Sequence, residues 1–301
     1  MKFKTLLVAV RANFLLLSVI LGFLGASLAW YEHQEYGGDF NLAFAFIAGI
    51  GLVFTHISVN VLNDYFDSRS KLDYKTPRTP FSGGSKAITD GLITAKQGLW
   101  LAIGTLVISI PIGVYFTVVQ GWQLLPLLLV AGIIIIIYTP VILKMGYPEW
   151  AAGLGLGTLP VLGLYFVQTG EYTVSALIAA VPSGILVHNL LLLNEFPDVE
   201  ADRSVNRRTL PIVVGKKNAA IVYSALMVIM YLWIIGAVIS RDMPAFTLLG
   251  LLTFPLGYKA ISGSFKHDDM GKLIPAMGNN VFVVLLTQLL MGIGFILAGV
   301  F

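Results

Sequence analysis

Cysteine is absent from this chain of 301 residues, and charged side chains are scarce. Without cysteine the chain can form neither a disulfide bridge nor a thiolate metal site. Charged residues make up 12% of the sequence, whereas an ordinary soluble domain has about 25%. Hydrophobic residues make up 57%, and the mean hydropathy is +0.84. This composition excludes a soluble enzyme and predicts an integral membrane protein that forms one large bundle.

Long apolar runs divide the chain into segments that are long enough to cross a bilayer, which takes about 20 residues each. Glycine and proline turn signals separate the runs. The first run is too long for the apolar core of a signal peptide and follows no Arg/Ser-rich transit peptide, so we predict that it is the first span. The nine predicted spans are approximately 11–31, 40–63, 97–118, 123–143, 149–167, 173–196, 217–239, 243–262 and 275–299.

Basic residues support this count because the cytoplasmic loops of membrane proteins are rich in lysine and arginine. With nine spans and a cytoplasmic N-terminus, every lysine and arginine except Arg241 falls on the cytoplasmic side. The two longest loops, after spans 2 and 6, lie on the same side. We therefore predict an all-α, multi-pass bundle of nine transmembrane helices in a prokaryotic cell membrane, with a cytoplasmic cap formed by these two loops.

Two acidic motifs follow spans 2 and 6, and each begins with an asparagine at the end of an apolar run. The first, N-D-Y-F-D, covers 63–67, and the second, N-E-F-P-D, covers 194–198. In both, an Asp follows the Asn by four residues, which places the two side chains on one face of a helix. The four-span separation predicts a single domain, 1–301, built as a pseudo-repeat of two four-helix halves plus a ninth helix.

Two further aspartates extend these motifs. Asp73 lies six residues after Asp67 and would point elsewhere on a straight helix, so it can join the site only if the chain turns after about Ser68. Asp202 continues the helical face of the second motif. Pro197 lacks an N–H, so span 6 should kink or loosen there.

Clustered carboxylate and amide oxygens favour Mg²⁺, which proteins usually hold through one or two carboxylates together with substrate phosphates. Basic side chains on the same loops would clamp the remaining phosphate oxygens. A polar mouth above an apolar cavity fits a lipid diphosphate, whose tail would lie among the helices. The predicted metal ligands are Asn63, Asp67, Asp73, Asp198 and Asp202, and the predicted diphosphate contacts are Lys71, Arg78, Lys144, Asn194, Arg207 and Arg208, with Lys86 as a further candidate.

The predicted chemical step is ionisation of an allylic diphosphate. The metal and the basic groups stabilise the charge on the departing diphosphate. A dry aromatic cavity protects the allylic cation from water until it meets a carbon nucleophile. Tyr138 is predicted to face this cation, and Tyr65, Phe66 and Tyr165 are further candidates for the lining.

Each of these assignments has a plainer alternative. A carboxylate in a loop is usually exposed to water and has no further role. Tyr65 and Tyr138 are typical of the aromatic belt at a membrane interface, and basic residues can act only by fixing the orientation of the protein in the membrane. Polar residues within spans, such as His56 and His188, either have a functional role or form structural hydrogen bonds between helices. The glycines in 153–157 indicate close helix packing. A secondary transporter is the main non-enzyme alternative, although it would place its charges near the bilayer midplane and not at helix ends.

Taken together, these residues resemble the UbiA superfamily of intramembrane prenyltransferases along essentially the whole chain. The resemblance covers both acidic motifs, Asp73, the segment R-T-P-F-S-G-G-S at 78–85, Y-T-P at 138–140 and R-R-T-L-P at 207–211. It implies a nine-helix bundle, Mg²⁺, a prenyl diphosphate donor and an opening towards the bilayer, with no nucleic-acid partner.

Within this superfamily the chain looks most like the menaquinone branch, whose members prenylate dihydroxynaphthoate. The Asp67-to-Asp73 spacing and the Arg-Arg-Thr-Leu run point there, whereas Lys71 stands where the ubiquinone-type pattern has a third acid. Glu195 and Pro197 stand where that branch usually has Asn and Arg, so the acceptor stays open. The alternative is an archaeal-type enzyme that geranylgeranylates a glycerol phosphate lipid, although its Arg-Pro-(aliphatic)-Pro-Ser-Gly signature is missing.

Overall fold

A computed structural model describes residues 2–301, and this range is helical without a strand. Nine helices of the described range are long and apolar enough to cross a membrane, which confirms the predicted count of spans. They are α1 (Ala12–Tyr36), α2 (Leu42–Arg69), α3 (Ala95–Val119), α4 (Leu124–Met145), α5 (Glu149–Thr169), α6 (Val174–Asn194), α7 (Lys216–Ile239), α8 (Ala245–Ser264) and α9 (Met270–Val300).

The helices differ in how much apolar surface they bury. At the centre, α9 packs against α1, α6 and α8, and α5 packs against α1 and α6. Leu21 and Tyr165 are fully buried there. By contrast, α3 and α4 leave large apolar side chains exposed, among them Val118 and Ile133. A helix that is apolar on every side, with one side exposed, is typical of a helix that faces lipid.

Small residues allow α5 and α6 to approach closely, as the glycines in 153–157 predicted. A Cβ atom placed on Gly153 would lie 2.6 Å from the carbonyl oxygen of Gly184, and one placed on Gly157 would lie 2.5 Å from that of Ser183. Neither distance leaves room for a methyl group, because both neighbours are backbone atoms. The helical turn is widened over Leu154–Thr158 at this contact.

Adding a methyl group at this contact should destabilise the bundle. We expect Gly157→Ala to lower the free energy of unfolding by roughly 1–3 kcal/mol, because overpacking a tight contact forces the backbones apart. Gly104→Ala on α3 is the matched control, since no atom lies within 4 Å of its added Cβ. Thermal denaturation of the two variants in detergent measures the difference, and equal midpoints would contradict the close α5–α6 contact.

Both acidic motifs lie where a membrane helix ends, but the two ends differ. Helix α2 continues to Arg69, and the chain then turns at Lys71, whose φ of 60° opens a short 3-10 helix over Leu72–Tyr74. The predicted turn after Ser68 is therefore confirmed. Helix α6 instead ends at Asn194, and a separate short helix follows over Val199–Arg203.

The helix that carries Asn194, Asp198 and Asp202 is interrupted, which confirms the predicted loosening at Pro197. The three residues nevertheless line one cavity, so they point the same way as predicted. The regular turns of α6 stop at Asn194 because Pro197 has no N–H to continue the helix. A tight turn replaces them, in which the N–H of Asp198 donates to the carbonyl of Glu195 at 3.1 Å. Asp202 still lies one turn beyond Asp198, because its N–H donates to the carbonyl of that residue at 2.8 Å.

Candidate active site

One cavity brings both acidic motifs together. Its apolar wall comes mainly from α4, α5 and α6, and it includes Ile134, Tyr138, Leu156 and Leu191. The chain thus forms a pocket lined by both charged and apolar side chains. Its polar wall includes Arg11, Asn60, Asn63, Asp67, Asp73, Asn194, Glu195, Asp198, Asp202 and Arg207.

Arg207 joins the two motifs directly. Its guanidinium group, whose side chain is 13% exposed, forms one ion pair with Asp67 and a second with Asp202, the latter at 3.1 Å. Burial lowers the pKa of Arg207, but the neighbouring Asp67 and Asp202 outweigh it and raise the pKa above its usual value. The planar fork of an arginine side chain suits such a bridge between two carboxylates.

Several oxygen atoms around the cavity are buried without a hydrogen-bond partner. They include Asp73 Oδ2, Asn194 Oδ1 and Asp198 Oδ1. Burial, followed by the charge of Asp202, raises the pKa of Asp198 to about 8, and burial followed by Asp64 raises the pKa of Asp73 to about 6. Because buried polar atoms are nearly always paired in folded proteins, these oxygens indicate a site for a polar or cationic ligand.

The donor set fits a divalent cation by chemistry, although the ligands are not gathered around one point. Carboxylate and amide oxygens are the ligands that Mg²⁺ prefers. Within residues 2–301, however, no group of three Asp, Glu or His side chains is close enough to hold a metal ion. The Arg207 guanidinium lies between Asp67 and Asp202.

The loop after the first motif is held against the site by Asp64. The carboxylate of Asp64 accepts hydrogen bonds from the backbone N–H and the hydroxyl of Ser85. Gly84 lies beside it with a φ of +70°, and a Cβ atom there would be 3.1 Å from Asp73 Oδ1. Only glycine combines this backbone conformation with so close an approach. Asp64 thus holds the 82–85 segment beside the site.

Two of the six predicted diphosphate contacts, Asn194 and Arg207, line the cavity. The side chains of the other four are exposed and lie outside its lining, and Arg78 is paired with Asp90. Lys86 donates to the carbonyl oxygen of Thr76 at 2.8 Å. A phosphate-binding role for the residues outside the lining stays a prediction; they are Lys71, Arg78, Lys144 and Arg208.

Of the aromatic residues predicted to line the cavity, Tyr138 does so, and its hydroxyl has no hydrogen-bond partner. Tyr165 does not, and this prediction is wrong. It lies ten residues after Gly155 on α5, about 15 Å further along the helix, where its hydroxyl donates to Glu32. Tyr65 and Phe66 pack against each other and are also outside the lining.

The sequence did not single out Arg11 as a cavity residue, although the structure places it there. Arg11 precedes α1 and has a φ of 53°, which turns the chain into the helix. The polar residues within the spans mostly satisfy each other, as the Ser18 hydroxyl and His56 Nδ1 do at 2.7 Å. Asn63 donates to the Thr139 hydroxyl at 3.0 Å and so ties the first motif to α4.

Residues 18–286 match the model of the UbiA prenyltransferase family. The chain is 29% identical to the 1,4-dihydroxy-2-naphthoate octaprenyltransferase of Bacillus subtilis (strain 168), over 80% of this chain and 78% of that protein. It is 26% identical to the 1,4-dihydroxy-2-naphthoate octaprenyltransferase of Escherichia coli (strain K12), over 91% of this chain and 89% of that protein.

Solved structures show the same fold. The apo structure of a UbiA homolog from Aeropyrum pernix K1 superimposes with a TM-score of 0.74 at 17% identity, over 95% of this chain and 98% of that one. A UbiA homolog from Archaeoglobus fulgidus bound to GPP and Mg²⁺ superimposes with a TM-score of 0.63 at 14% identity, over 97% of this chain and 99% of that one. Each superposition covers at least 95% of this chain, so the fold is shared along nearly its whole length.

Proposed function

The chain belongs to the UbiA prenyltransferase family, and we propose that it transfers an isoprenyl chain from an allylic prenyl diphosphate to an aromatic, naphthoquinol-type acceptor. Family membership and the nine spanning helices make it an intramembrane prenyltransferase of the cell membrane. The observation that carries the proposal is the meeting of two distant acidic motifs at one cavity with an apolar wall. The similarity to 1,4-dihydroxy-2-naphthoate octaprenyltransferases supports the acceptor class and a place in quinone lipid biosynthesis.

Magnesium is the proposed cofactor. The oxygen-only donor set suits it, and the relative from Archaeoglobus fulgidus was solved with GPP and Mg²⁺. The residues that would hold it are Asn63, Asp67, Asp73, Asp198 and Asp202. When bound, the ion neutralises charge on the diphosphate and so makes it a better leaving group.

The cavity residues perform the remaining tasks. The guanidinium of Arg207 can exchange one carboxylate for diphosphate oxygens, and the amide of Asn194 can donate to the same group. As the bond between the prenyl C1 and the diphosphate oxygen breaks, the face of the Tyr138 ring stabilises the allylic cation. The apolar wall around Ile134 and Leu156 excludes water until C1 bonds to the acceptor carbon, which then loses its proton.

The proposed orientation places the acidic motifs and the N-terminus on the cytoplasmic side. The motifs lie on the side that carries nearly all the basic residues of the sequence. Mg²⁺ and the diphosphate head of the donor would reach the cavity from there, while the prenyl tail would enter among the helices.

A direct assay tests the proposed function. The purified protein is incubated with Mg²⁺, a short allylic diphosphate and a panel of aromatic and glycerol phosphate lipid acceptors. We expect a prenylated aromatic product that is lost when Mg²⁺ is chelated. Transfer to the glycerol lipid alone would favour the archaeal-type alternative, and solute flux in liposomes without any transfer would favour a transporter.

A further inference from the structure

The phenyl ring of Phe81 lines the cavity and has no role in the mechanism above. Among the residues that the structure describes, Phe81 and Tyr138 are the two aromatic side chains of the lining. Ser82, Gly83 and Gly84, which follow Phe81 in the chain, line the same cavity with small side chains or none. The ring is therefore the large apolar group that this segment offers to a ligand, next to groups that can fix its orientation.

A tight turn presents this ring to the cavity. The hydroxyl oxygen of Thr79 accepts a hydrogen bond from the N–H of Phe81 at 3.2 Å and a second from the N–H of Ser82 at 2.8 Å. Hydroxyl side chains that bond the nearby backbone in this way stabilise turns. Pro80, which lies between Thr79 and Phe81, adds the fixed φ of proline. The turn is therefore held before any ligand binds, and this lowers the conformational cost of binding.

Helix α9 supports the ring from the other side. A Cβ atom placed on Gly278 would lie 3.2 Å from Cζ of Phe81 and 3.6 Å from its Cε2. The far edge of the ring therefore rests against α9, and even the methyl group of an alanine at position 278 would be in tight contact with it. The turn and the helix together fix the ring in the cavity wall.

The ring lies outside the two regions that a prenyl diphosphate would occupy. The diphosphate head belongs beside the acidic motifs, and the tail belongs along the apolar wall that comes from α4, α5 and α6. Phe81 instead comes from the loop after α2 and rests on α9. It lies three residues before Gly84, where an added Cβ atom would be 3.1 Å from Asp73 Oδ1. The ring is thus beside the charged end of the cavity and on a different element from the tail wall.

An acceptor must reach the same part of the cavity. The reacting carbon of a prenyl diphosphate joins the head to the tail, so the attacking molecule must lie next to the head and away from the tail. We propose that Phe81 binds the acceptor there by stacking against its aromatic ring. This inference rests on the proposed function and adds the acceptor subsite to it.

Stacking selects a planar aromatic acceptor. Aromatic rings attract each other in offset or edge-to-face arrangements beyond the contribution of the buried area. A glycerol phosphate lipid offers no aromatic ring and gains nothing from this contact. Phe81 is therefore a specificity-determining residue for the class of acceptor.

The test compares Phe81→Leu with Phe282→Leu, using a naphthoquinol-type acceptor. Leucine keeps an apolar side chain against α9 but removes the ring. Phe282 is the matched control, since it lies one turn after Gly278 on α9, is 57% exposed and does not line the cavity. The apparent KM for the acceptor should rise about 2- to 12-fold in Phe81→Leu. That for the prenyl diphosphate should change by less than about twofold, and Phe282→Leu should change neither.

A second measurement uses the unmodified enzyme and so does not depend on the folding of a variant. Naphthalene and its saturated counterpart decalin, neither of which carries a hydroxyl group, are compared as competitors of the acceptor. Stacking predicts that naphthalene inhibits about 2- to 12-fold more strongly than decalin, although decalin is the less flat and equally apolar molecule. Phe81→Leu should inhibit nearly equally with both.

Three results would overturn the inference alone. They are an unchanged acceptor KM in Phe81→Leu, an equal rise for both substrates, which would assign the ring to the position of the loop, and equal inhibition of the unmodified enzyme by naphthalene and decalin. Failure of the unmodified enzyme to prenylate any aromatic acceptor would instead overturn the proposed function and the inference with it.

Discussion

Replacing Asp198 by alanine should reduce prenyl transfer by at least roughly 10²–10³-fold, the usual effect of removing one group that stabilises transition-state charge. Asp198 lies on the cavity wall with one buried oxygen free to accept a ligand. Removing it deletes a proposed metal ligand without breaking an ion pair, so the protein should still insert and fold. Product formation from a labelled allylic diphosphate measures the loss, and a thermal midpoint close to that of the unmodified protein shows that the fold persists.

Asp90→Ala is the matched control for this substitution. Asp90 is exposed, and among the described residues its only ion pair is with Arg78, which is also exposed. Exposed ion pairs contribute little to stability. We expect its activity to stay within about twofold of the unmodified enzyme, which is the scale of a surface substitution of up to roughly 0.5 kcal/mol. If Asp198→Ala kept full turnover with Mg²⁺ present, the proposed metal-binding role of Asp198 would be wrong.

Replacing Arg207 by alanine should damage both stability and activity. The substitution leaves the buried carboxylates of Asp67 and Asp202 without their partner, and breaking a buried ion pair in this way costs about 3–5 kcal/mol. Transfer should also fall because the proposed contact with the diphosphate is lost. Added Mg²⁺ should raise the thermal midpoint of Arg207→Ala more than that of the unmodified protein, since the ion can then neutralise the same carboxylates.

Arg203→Ala is the control for charge removal on the same segment. Arg203 pairs only with exposed Glu200 within the described chain, at 3.5 Å, so its loss should leave the thermal midpoint nearly unchanged. Identical midpoints for Arg203→Ala and Arg207→Ala in the absence of Mg²⁺ would show that the buried bridge does not stabilise the fold.

The membrane helices could be predicted from the sequence because their signal is local and large. Runs of about 20 apolar residues and the distribution of lysine and arginine each determine the nine spans without knowledge of packing. The turn before Asp73 was predictable for a similar reason, since Asp67 and Asp73 cannot face the same way on one helix. The family followed from two motifs whose residue types and separation are distinctive, and residues 18–286 bear it out.

Contacts between distant segments were not predictable in the same way. Nothing near Arg207 in the sequence indicates that it bridges Asp67 and Asp202, because that bridge depends on how α2 meets the loop after α6. The burial of Glu149, whose carboxylate accepts a hydrogen bond from the N–H of Leu210, depends likewise on a contact between distant segments. The prediction that Tyr165 lines the cavity was wrong because hydropathy shows which segments cross the membrane but not which part of a helix lies beside a pocket. The pseudo-repeat of two four-helix halves stays a prediction.

The bridge formed by Arg207 also bears on how the bundle folds in its membrane. A newly synthesised bundle must bring the carboxylates of Asp67 and Asp202 together in a poorly hydrated place, where unopposed negative charges would repel. The chain supplies the opposing charge from its own sequence. The two segments that carry these carboxylates are therefore joined by a charge that belongs to the chain itself.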